Sequence, residues 1–309
     1  MNTEVAYIVE NLIKGFPICL AIASTTINTY AIRKAKLQRK SFSGEISYNA
    51  DSVLARTRSF SEDKLDYTKR EILKPYVEKL VKNLSLEELK IIRRNLNTVK
   101  VEKSYKPLFL GLLGYYDIKK NEISYLVPES LGHEFLHMSS TIYDRINDIY
   151  FSGFSQEDGK NIIGLSLNEG YTELLTSRFY NIKQKESVYV NEVRMAKMLE
   201  LFFDNKEEMT RLYFTCDLLG FIKQLEKYAP YEDVIKLIID MDDYSVYNHY
   251  SNFLSIKKSA SIYERIYNWF VTNSNDQEKI NELEKLINED IIVSNIFKRQ
   301  NIQLSNKNR

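Results

Sequence analysis

The chain has 309 residues, of which 44% are hydrophobic and 28% charged, a composition typical of soluble globular proteins with a sizeable core. The 43 Lys and Arg residues nearly balance the 42 Asp and Glu residues, so there is no overall field that would attract nucleic acid or an acidic surface. Cys19 and Cys216 form no CxxC pair and indicate neither a disulfide framework nor a thiolate zinc site.

The first region, 1–40, contains an uncharged stretch at 15–32 that is about the shortest length able to cross a bilayer as a helix. Its basic cluster, 33–40, follows the apolar stretch, which argues against a cleavable signal peptide. Two interpretations stay open: a membrane anchor, or a buried or interfacial helix. We expect a cytoplasmic protein, and if 15–32 is an anchor, the positive-inside rule keeps the catalytic region on the cytoplasmic side.

The second region, 41–186, begins with helices and changes to strands. A helical pattern covers about 66–83, and Ser85 and Glu88 form a capping box that announces a second helix. Residues 98–105 alternate apolar and polar positions, and the following apolar segment predicts two strands joined by a turn at 117–121.

A helix is expected to begin at Pro128, because proline fits the first helical position. It contains the motif HEFLH, in which His133 and His137 lie one turn apart on the same side and can converge on one ion. Glu134 is turned about 100° away, which places its carboxylate beside the metal, within reach of a water molecule. This pattern predicts a zinc ion (Zn2+) bound by the two histidines, with Glu134 as general base.

The alternative for this motif is a surface helix with two solvated histidines. Chance occurrence of HExxH in a chain of this length is on the order of a few in a thousand. Phe135 and Leu136 lie between the histidines and indicate a largely buried helix, which has little reason to carry unpaired imidazoles. The sequence therefore favours metal binding.

A third ligand must come from further along the chain. Ser140 and Tyr143 occupy the positions where the metzincin motif HExxHxxGxxH has glycine and histidine, which excludes that class. Beyond a glycine-bearing loop expected at 150–165, Ser166 is predicted to cap a helix that carries the segment NEGYTE, residues 168–173.

HEFLH together with NEGYTE resembles the gluzincins, the thermolysin-like zinc metallopeptidases. The resemblance implies that Glu169 is the third zinc ligand and that Glu173 hydrogen-bonds His133. It covers about fifty residues, and the 31 residues between His137 and Glu169 are more than in compact members. It also implies an edge strand above the active-site helix that pairs with an extended peptide, for which 121–127 is the candidate.

Other roles stay open for these acidic residues and for the last histidine. Ser166 and Glu169 also match a capping box, in which Glu169 would bind only its own helix start. Glu173 could be an exposed helix carboxylate. His249 is a candidate for stabilising the oxyanion of peptide hydrolysis, but no spacing ties it to the site, and a structural or exposed histidine is the alternative; Tyr247 and Tyr250 are equally open.

The third region, 187–309, shows apolar residues at three- and four-residue spacing throughout and predicts a helical lobe. The expected fold is therefore α+β, a small zincin-like sheet with its active-site helix followed by helices. The expected function is zinc-dependent hydrolysis of a peptide or protein substrate, without nucleic acid as a partner. The alternative is a non-catalytic zincin-like binding or regulatory protein. Oligomeric state leaves no signal in the sequence.

Overall fold

The structure, a computed structural model, describes most of the chain after the N-terminal region: residues 68–109, 112–158, 161–181, 189–248 and 252–290. The predictions for 1–40, including the apolar stretch 15–32, lie outside the described residues. His249 and Tyr250 also lie outside them.

The described part begins with helices that support the first sheet. A 3-10 turn at Thr68–Leu73 leads into α1, Lys74–Asn83, and α2 follows at Leu89–Leu96. The predicted capping box between them is confirmed: the Ser85 N–H donates to the Glu88 carboxylate at 2.6 Å, and the Glu88 N–H donates to the Ser85 hydroxyl at 3.4 Å.

The first sheet has three strands in the order β1-β3-β2: β1 is Lys100–Lys103, β2 is Gly114–Asp117 and β3 is Glu122–Tyr125. A short helix, α3 at Lys106–Phe109, lies between β1 and β2. The predicted hairpin between β2 and β3 is confirmed by their antiparallel register. The prediction that 121–127 is the edge strand is wrong, because β1 pairs in parallel with the other side of β3. The strand at the edge on the opposite side of β3 is β2.

The helix that carries HEFLH is α4, Pro128–Ser139, and it begins at the predicted proline after an extended Val127. It packs against β2 and β3 and against α2. Every residue from Leu131 to Ser139 is buried, so the polar side chains of this segment depend on partners within the protein.

The prediction of a loop at 150–165 is wrong, because most of these residues belong to a second, antiparallel sheet. Each strand of this sheet pairs with the next one along the chain, in the order β4-β5-β6-β7. The strands are β4 at Thr141–Asp144, β5 at Ile149–Ser152, β6 at Ser155–Glu157 and β7 at Ile162–Ile163. Each strand has only two to four residues, and β5 is buried at all four positions. A strand covered on both faces shows no alternation of polar and apolar residues, which explains why the pattern was missed.

The rest of the described chain is helical, as predicted. Helix α5, Leu165–Tyr180, packs against α4 and is followed by α6 at Val190–Glu200, α7 at Lys206–Phe214, α8 at Leu218–Leu225, α9 at Tyr231–Asn248, α10 at Asn252–Asn273 and α11 at Gln277–Asn288. The α+β class is therefore confirmed. One cluster of buried apolar side chains extends from Leu73 to Ile287, and the boundary between 41–186 and 187–309 stays a prediction.

Among the described helices, none is both long enough and apolar enough to cross a membrane.

Candidate metal centre

Two buried helices bring together three side chains that could hold a metal ion. His133 and His137 project from α4, and Glu169 projects from α5, which packs beside it. The Nε2 atoms of the two histidines are 2.9 Å apart, and Oε2 of Glu169 lies 3.3 Å from His133 Nε2 and 3.4 Å from His137 Nε2. The group could hold a metal ion.

These separations fit one small divalent cation. Nitrogen and carboxylate ligands bind zinc at about 2.0–2.2 Å, so two ligands of a tetrahedral site are about 3.3–3.5 Å apart. Both carboxylate-to-imidazole distances fall in that range. The two imidazole nitrogens are closer, and a small rotation of either ring would separate them. The predicted ligands are therefore placed where a single ion could contact all three.

Polar side chains of α5 contact the Nδ1 atoms of both imidazoles. Nδ1 of His133 lies 3.0 Å from Oε2 of Glu173, so this nitrogen donates to the carboxylate and Nε2 is left free to bind an ion. Nδ2 of Asn168 lies 3.4 Å from Nδ1 of His137. Glu173 is buried, with 5% of its surface exposed, and so is not the exposed helix carboxylate considered as its alternative.

The capping box considered for Glu169 does not form. Helix α5 is capped by Gly164 in the left-handed region, with φ of 80°, and its first N–H groups are bound by Asp242 of α9. The Asp242 carboxylate accepts from the N–H of Gly164 at 2.8 Å and of Ser166 at 2.7 Å. The buried hydroxyl of Ser166 has no hydrogen-bond partner among the described residues. Glu169 is consequently free to face the histidines.

Glu134 lies beneath the edge strand β2. Burial raises the pKa of its carboxyl, whereas the positive charges of His133 and His137 and the backbone N–H of Tyr116, which donates to it, act in the opposite direction. A Cβ at Gly114 would lie 2.7 Å from Cγ and 2.8 Å from Oε1 of Glu134. The absence of a side chain at Gly114 therefore lets the carboxylate approach the strand closely.

The charges of His133 and Glu169 affect each other's protonation. Burial lowers the pKa of His133, but hydrogen bonds to Glu169 and Glu173 outweigh this effect and raise it to about 10. Burial would raise the pKa of Glu169, but the neighbouring His137 and His133 lower it well below its usual range. Without an ion, a proton on His133 balances the neighbouring carboxylates, and a cation bound here would take its place.

Tyr189, at the start of α6, belongs to the site and was missed by sequence reasoning. Its ring stacks on His133, with centroids 5.9 Å apart and planes inclined by 7°. The negative charge of Glu169 raises the pKa of Tyr189 well above its usual range, and the hydroxyl hydrogen-bonds to the Glu169 carboxylate. No spacing rule connects this residue to HEFLH, and it is one of 22 tyrosines, so no sequence signal identified it.

The ligand group opens into a cavity of about 300 Å³, a volume at the lower end of the range for small-molecule sites. One wall is the edge strand β2 with the residues around it, and the other is the second sheet. The lining residues outside the ligand group include Leu112, Tyr115, Tyr116, Ile118, Tyr150, Ser152, Ser155, Glu157 and Ile162. The ligands are thus accessible from a cleft between two sheets.

His249, the predicted oxyanion residue, cannot be placed because it lies outside the described residues.

Comparison of the chain with models of protein families, with curated proteins and with solved structures finds no significant match in any of the three. Function has to be inferred from the residues of the site.

Proposed function

We propose that the protein is a zinc-dependent peptidase of the gluzincin type, in which His133, His137 and Glu169 bind zinc and Glu134 is the general base. The observation that carries this proposal is the convergence of the three side chains from two helices at separations of 2.9–3.4 Å. Glu134 lines the same cavity.

The donor set favours zinc. Two imidazoles and one carboxylate, with one side open to a cavity, are a ligand set typical of catalytic zinc, whereas structural zinc sites are usually closed by four protein ligands. When bound, zinc would polarise the scissile carbonyl and lower the pKa of a water molecule at the open position. The contact between Glu173 and His133 supports this assignment, because ligating histidines normally donate their second N–H to an oxygen.

The free edge of β2 is the surface that would position a peptide. The N–H of Leu126 donates to the Leu113 carbonyl at 2.8 Å, so Leu113 faces β3. Backbone groups of alternate residues point to opposite sides of a strand, and those of Gly114 and Tyr116 therefore point outward. An extended substrate could add to this edge by strand pairing, beside the Gly114 carbonyl and N–H.

Glu134 would move the protons of the reaction. Its carboxylate would take a proton from the attacking water as the bond to the scissile carbonyl carbon forms, and would deliver that proton to the leaving amine as the C–N bond breaks. Burial raises the pKa of Glu134, which brings its basicity closer to neutral pH and improves it for both steps.

Tyr189 would stabilise the negative charge that develops on the carbonyl oxygen. Its hydroxyl is a donor held at the Glu169 carboxylate, beside the open face of the ligand group. A donor aimed at the oxygen that becomes negative in the transition state is the usual complement to a metal in acyl transfer.

The test begins with metal analysis and peptide cleavage by the purified full-length protein. We expect about one zinc per chain, cleavage of an unfolded protein such as reduced casein, and loss of cleavage after chelation that zinc restores. The variants His137→Ala and Glu169→Ala should lose zinc. The variant Glu134→Gln should keep zinc and lose cleavage, whereas Glu129→Gln, an exposed carboxylate on the same helix, should retain both.

The possible failures point to different conclusions. Undiminished zinc in Glu169→Ala would contradict the ligand set. A wild-type protein that binds zinc through these residues but cleaves no peptide would contradict the enzyme assignment and favour a non-catalytic zincin-like binding or regulatory protein.

A further inference from the structure

The first turn of α6 carries Tyr189 into the site. Tyr189 is the N-cap of this helix, its carbonyl accepts from the N–H of Val193 at 2.8 Å, and its ring stacks on His133. A hydrogen-bonded helical turn moves largely as one unit, so the contacts that locate this turn also locate the Tyr189 side chain. Two residues, one on α5 and one on α6 itself, make those contacts.

Gly170 of α5 allows the backbones of α5 and α6 to meet. It follows Glu169 in the chain, and a Cβ at this position would lie 2.3 Å from the carbonyl oxygen, 2.4 Å from the carbonyl carbon and 2.9 Å from Cβ of Glu192. Two of these atoms belong to the backbone, which a change of rotamer cannot move. Shifting that oxygen from 2.3 Å to an ordinary contact of 3.4 Å requires a displacement of about 1 Å.

This contact lies close to Tyr189 along α6. Glu192 is three residues after Tyr189, about one helical turn. A side chain at position 170 would therefore push the start of α6 away from α5, and the Tyr189 hydroxyl away from the Glu169 carboxylate to which it hydrogen-bonds.

Asn191 ties the same turn to the C-terminal helices. Its Nδ2 atom donates to the Tyr244 hydroxyl of α9 at 2.6 Å, and its Oδ1 atom accepts from the Tyr263 hydroxyl of α10 at 3.2 Å. Arg194, three residues further along α6, donates to the same oxygen at 2.5 Å. Both tyrosines are buried. An amide that bonds through both its nitrogen and its oxygen is held in one orientation, so it fixes the start of α6 against two helices of the lobe.

We propose, resting on the peptidase function above, that Gly170 and Asn191 are positioning residues that hold the Tyr189 hydroxyl at the metal-binding group. Neither is among the described residues that line the cavity, so both act through Tyr189. Gly170 lets α6 approach the helix of Glu169, and Asn191 anchors the approaching turn to α9 and α10. The helical lobe thereby contributes to the reaction without contacting the substrate.

The experiment is a pair of double-mutant cycles. Gly170→Ala and Asn191→Ala are each made in the wild type and in Tyr189→Phe, and kcat, KM and zinc affinity are measured for the full-length proteins. If both residues act through the Tyr189 hydroxyl, their effects on kcat depend on its presence. A substitution that only loosened the fold would lower kcat by the same factor in both backgrounds.

Two matched controls change the same residue types elsewhere. Gly220→Ala on α8 places a Cβ 2.4 Å from Oδ2 of Asp217. Asn273→Ala removes an amide of α10 that donates to the Tyr228 carbonyl at 3.0 Å. Neither position is among the described residues that line the cavity, and both variants should keep kcat within about twofold of wild type.

We expect Gly170→Ala to lower kcat about 10- to 100-fold and Asn191→Ala about tenfold, because a displacement of about 1 Å in a catalytic group can cost about 100-fold in rate. KM and zinc affinity should stay within about threefold of wild type. In the Tyr189→Phe background neither substitution should lower kcat more than about twofold, because the hydroxyl that it positions is already absent.

A second measurement does not depend on cleavage. The protein is labelled with fluorotyrosine, and the fluorine NMR signal of Tyr189 is identified by its loss in Tyr189→Phe. Gly170→Ala and Asn191→Ala should shift this signal, since they alter the stacking of the ring on His133, whereas Gly220→Ala should leave it in place.

Equal losses of kcat in both backgrounds, an unshifted Tyr189 signal, or a loss of zinc affinity that accounts for the loss of kcat would overturn the inference. If Gly170→Ala does not fold, Asn191→Ala decides the outcome by the same criteria. Failure of the peptidase function has a different signature: the wild type cleaves no peptide, while the fluorine signal still reports whether Gly170 and Asn191 position Tyr189.

Discussion

His133 and Glu173 are joined through Nδ1 and Oε2 at 3.0 Å, across the contact between α4 and α5. The contact orients the ring of His133 and, in the neutral imidazole, favours the proton on Nδ1, with Nε2 directed towards His137 and Glu169. The Glu173→Gln variant keeps the shape of the side chain but can present its amide nitrogen to the ring. We expect its zinc affinity to fall about 10- to 100-fold, measured by competition with a chromogenic chelator.

A matched control separates this effect from a loss of charge alone. Glu129→Gln removes a carboxylate from the exposed first turn of α4 and should leave zinc affinity within about twofold of wild type. Equal affinities for Glu173→Gln and wild type would show that Glu173 does not orient His133 for metal binding.

The parts of the site that were predicted from sequence are those set by local geometry. The positions of His133 and His137 follow from the helical repeat, and Pro128 marks the start of their helix. Glu169 could be assigned by resemblance but not by local rules, since the capping box suggested another role. That role was already filled by Asp242, 78 residues away from Gly164 in the chain. No local pattern indicates such a distant partner.

Long-range packing also explains what was missed in the fold. The second sheet consists of strands too short and too thoroughly buried to show alternation, and β1 occupies the side of β3 that was expected to be free. The hairpin at 117–121 was predictable because its turn and both strands are contiguous in sequence. Tyr189 reaches the site through tertiary packing, which a single sequence does not reveal.

Tyr189→Phe tests the proposed donor to the oxyanion. The change removes one hydroxyl and keeps the ring that stacks on His133. We expect kcat to fall about 100- to 1,000-fold, with little change in KM or in zinc content, because the hydrogen bond acts mainly on the transition state. Tyr143→Phe, which removes a hydroxyl bonded to Asp148 on the second sheet, should have no comparable effect on kcat. A rise in KM without a fall in kcat would assign Tyr189 to substrate binding instead.

Gly114→Ala tests whether the close approach of the edge strand to Glu134 matters for activity. The added Cβ would meet Cγ and Oε1 of Glu134 and the Ser130 hydroxyl at 2.7–2.8 Å, so the glutamate must move. We expect a folded protein with normal zinc content and at least about tenfold lower kcat/KM, because catalytic groups are sensitive to small displacements. Activity equal to wild type would mean that Glu134 tolerates the shift and that its position beneath β2 is not critical.

Asp242→Asn tests the cap that the helical lobe provides for the helix of Glu169. Asn offers one acceptor oxygen in place of the two that bind the N–H groups of Gly164 and Ser166, and it lacks the negative charge that favours a helix start. We expect the free energy of unfolding to fall by roughly 1–2 kcal/mol, measured by urea denaturation. Asp243→Asn on the same helix loses an ion pair with Lys258, in which both side chains are more exposed, and should cost less than about 1 kcal/mol. A larger loss in Asp243→Asn than in Asp242→Asn would contradict the capping role.

Glu192 makes stability depend on pH. Its side chain on α6 is buried, with 2% of its surface exposed, and its Oε2 atom has no hydrogen-bond partner among the described residues. Burial raises the pKa of Glu192 to about 7 from an ordinary value of 4.5, and the charge of Glu169 adds to this effect. Because the folded state holds this proton more tightly than the unfolded chain does, burial of Glu192 costs no stability below pH 4.5 and costs progressively more as the pH rises towards 7.

Glu192→Gln removes this dependence. The loss that Glu192 imposes on the wild type between pH 4.5 and 7 is on the order of 3 kcal/mol, and glutamine has no charge to bury. The variant should therefore gain stability relative to wild type as the pH is raised from 5 to 8, measured as the difference in free energy of unfolding in urea. Taking the difference cancels the titration of groups that both proteins share. The exposed-site variant Glu207→Gln should show no such trend. A difference between Glu192→Gln and wild type that stays constant across this range would mean that Glu192 is already charged in the folded protein, compensated by a cation within reach of its carboxylate.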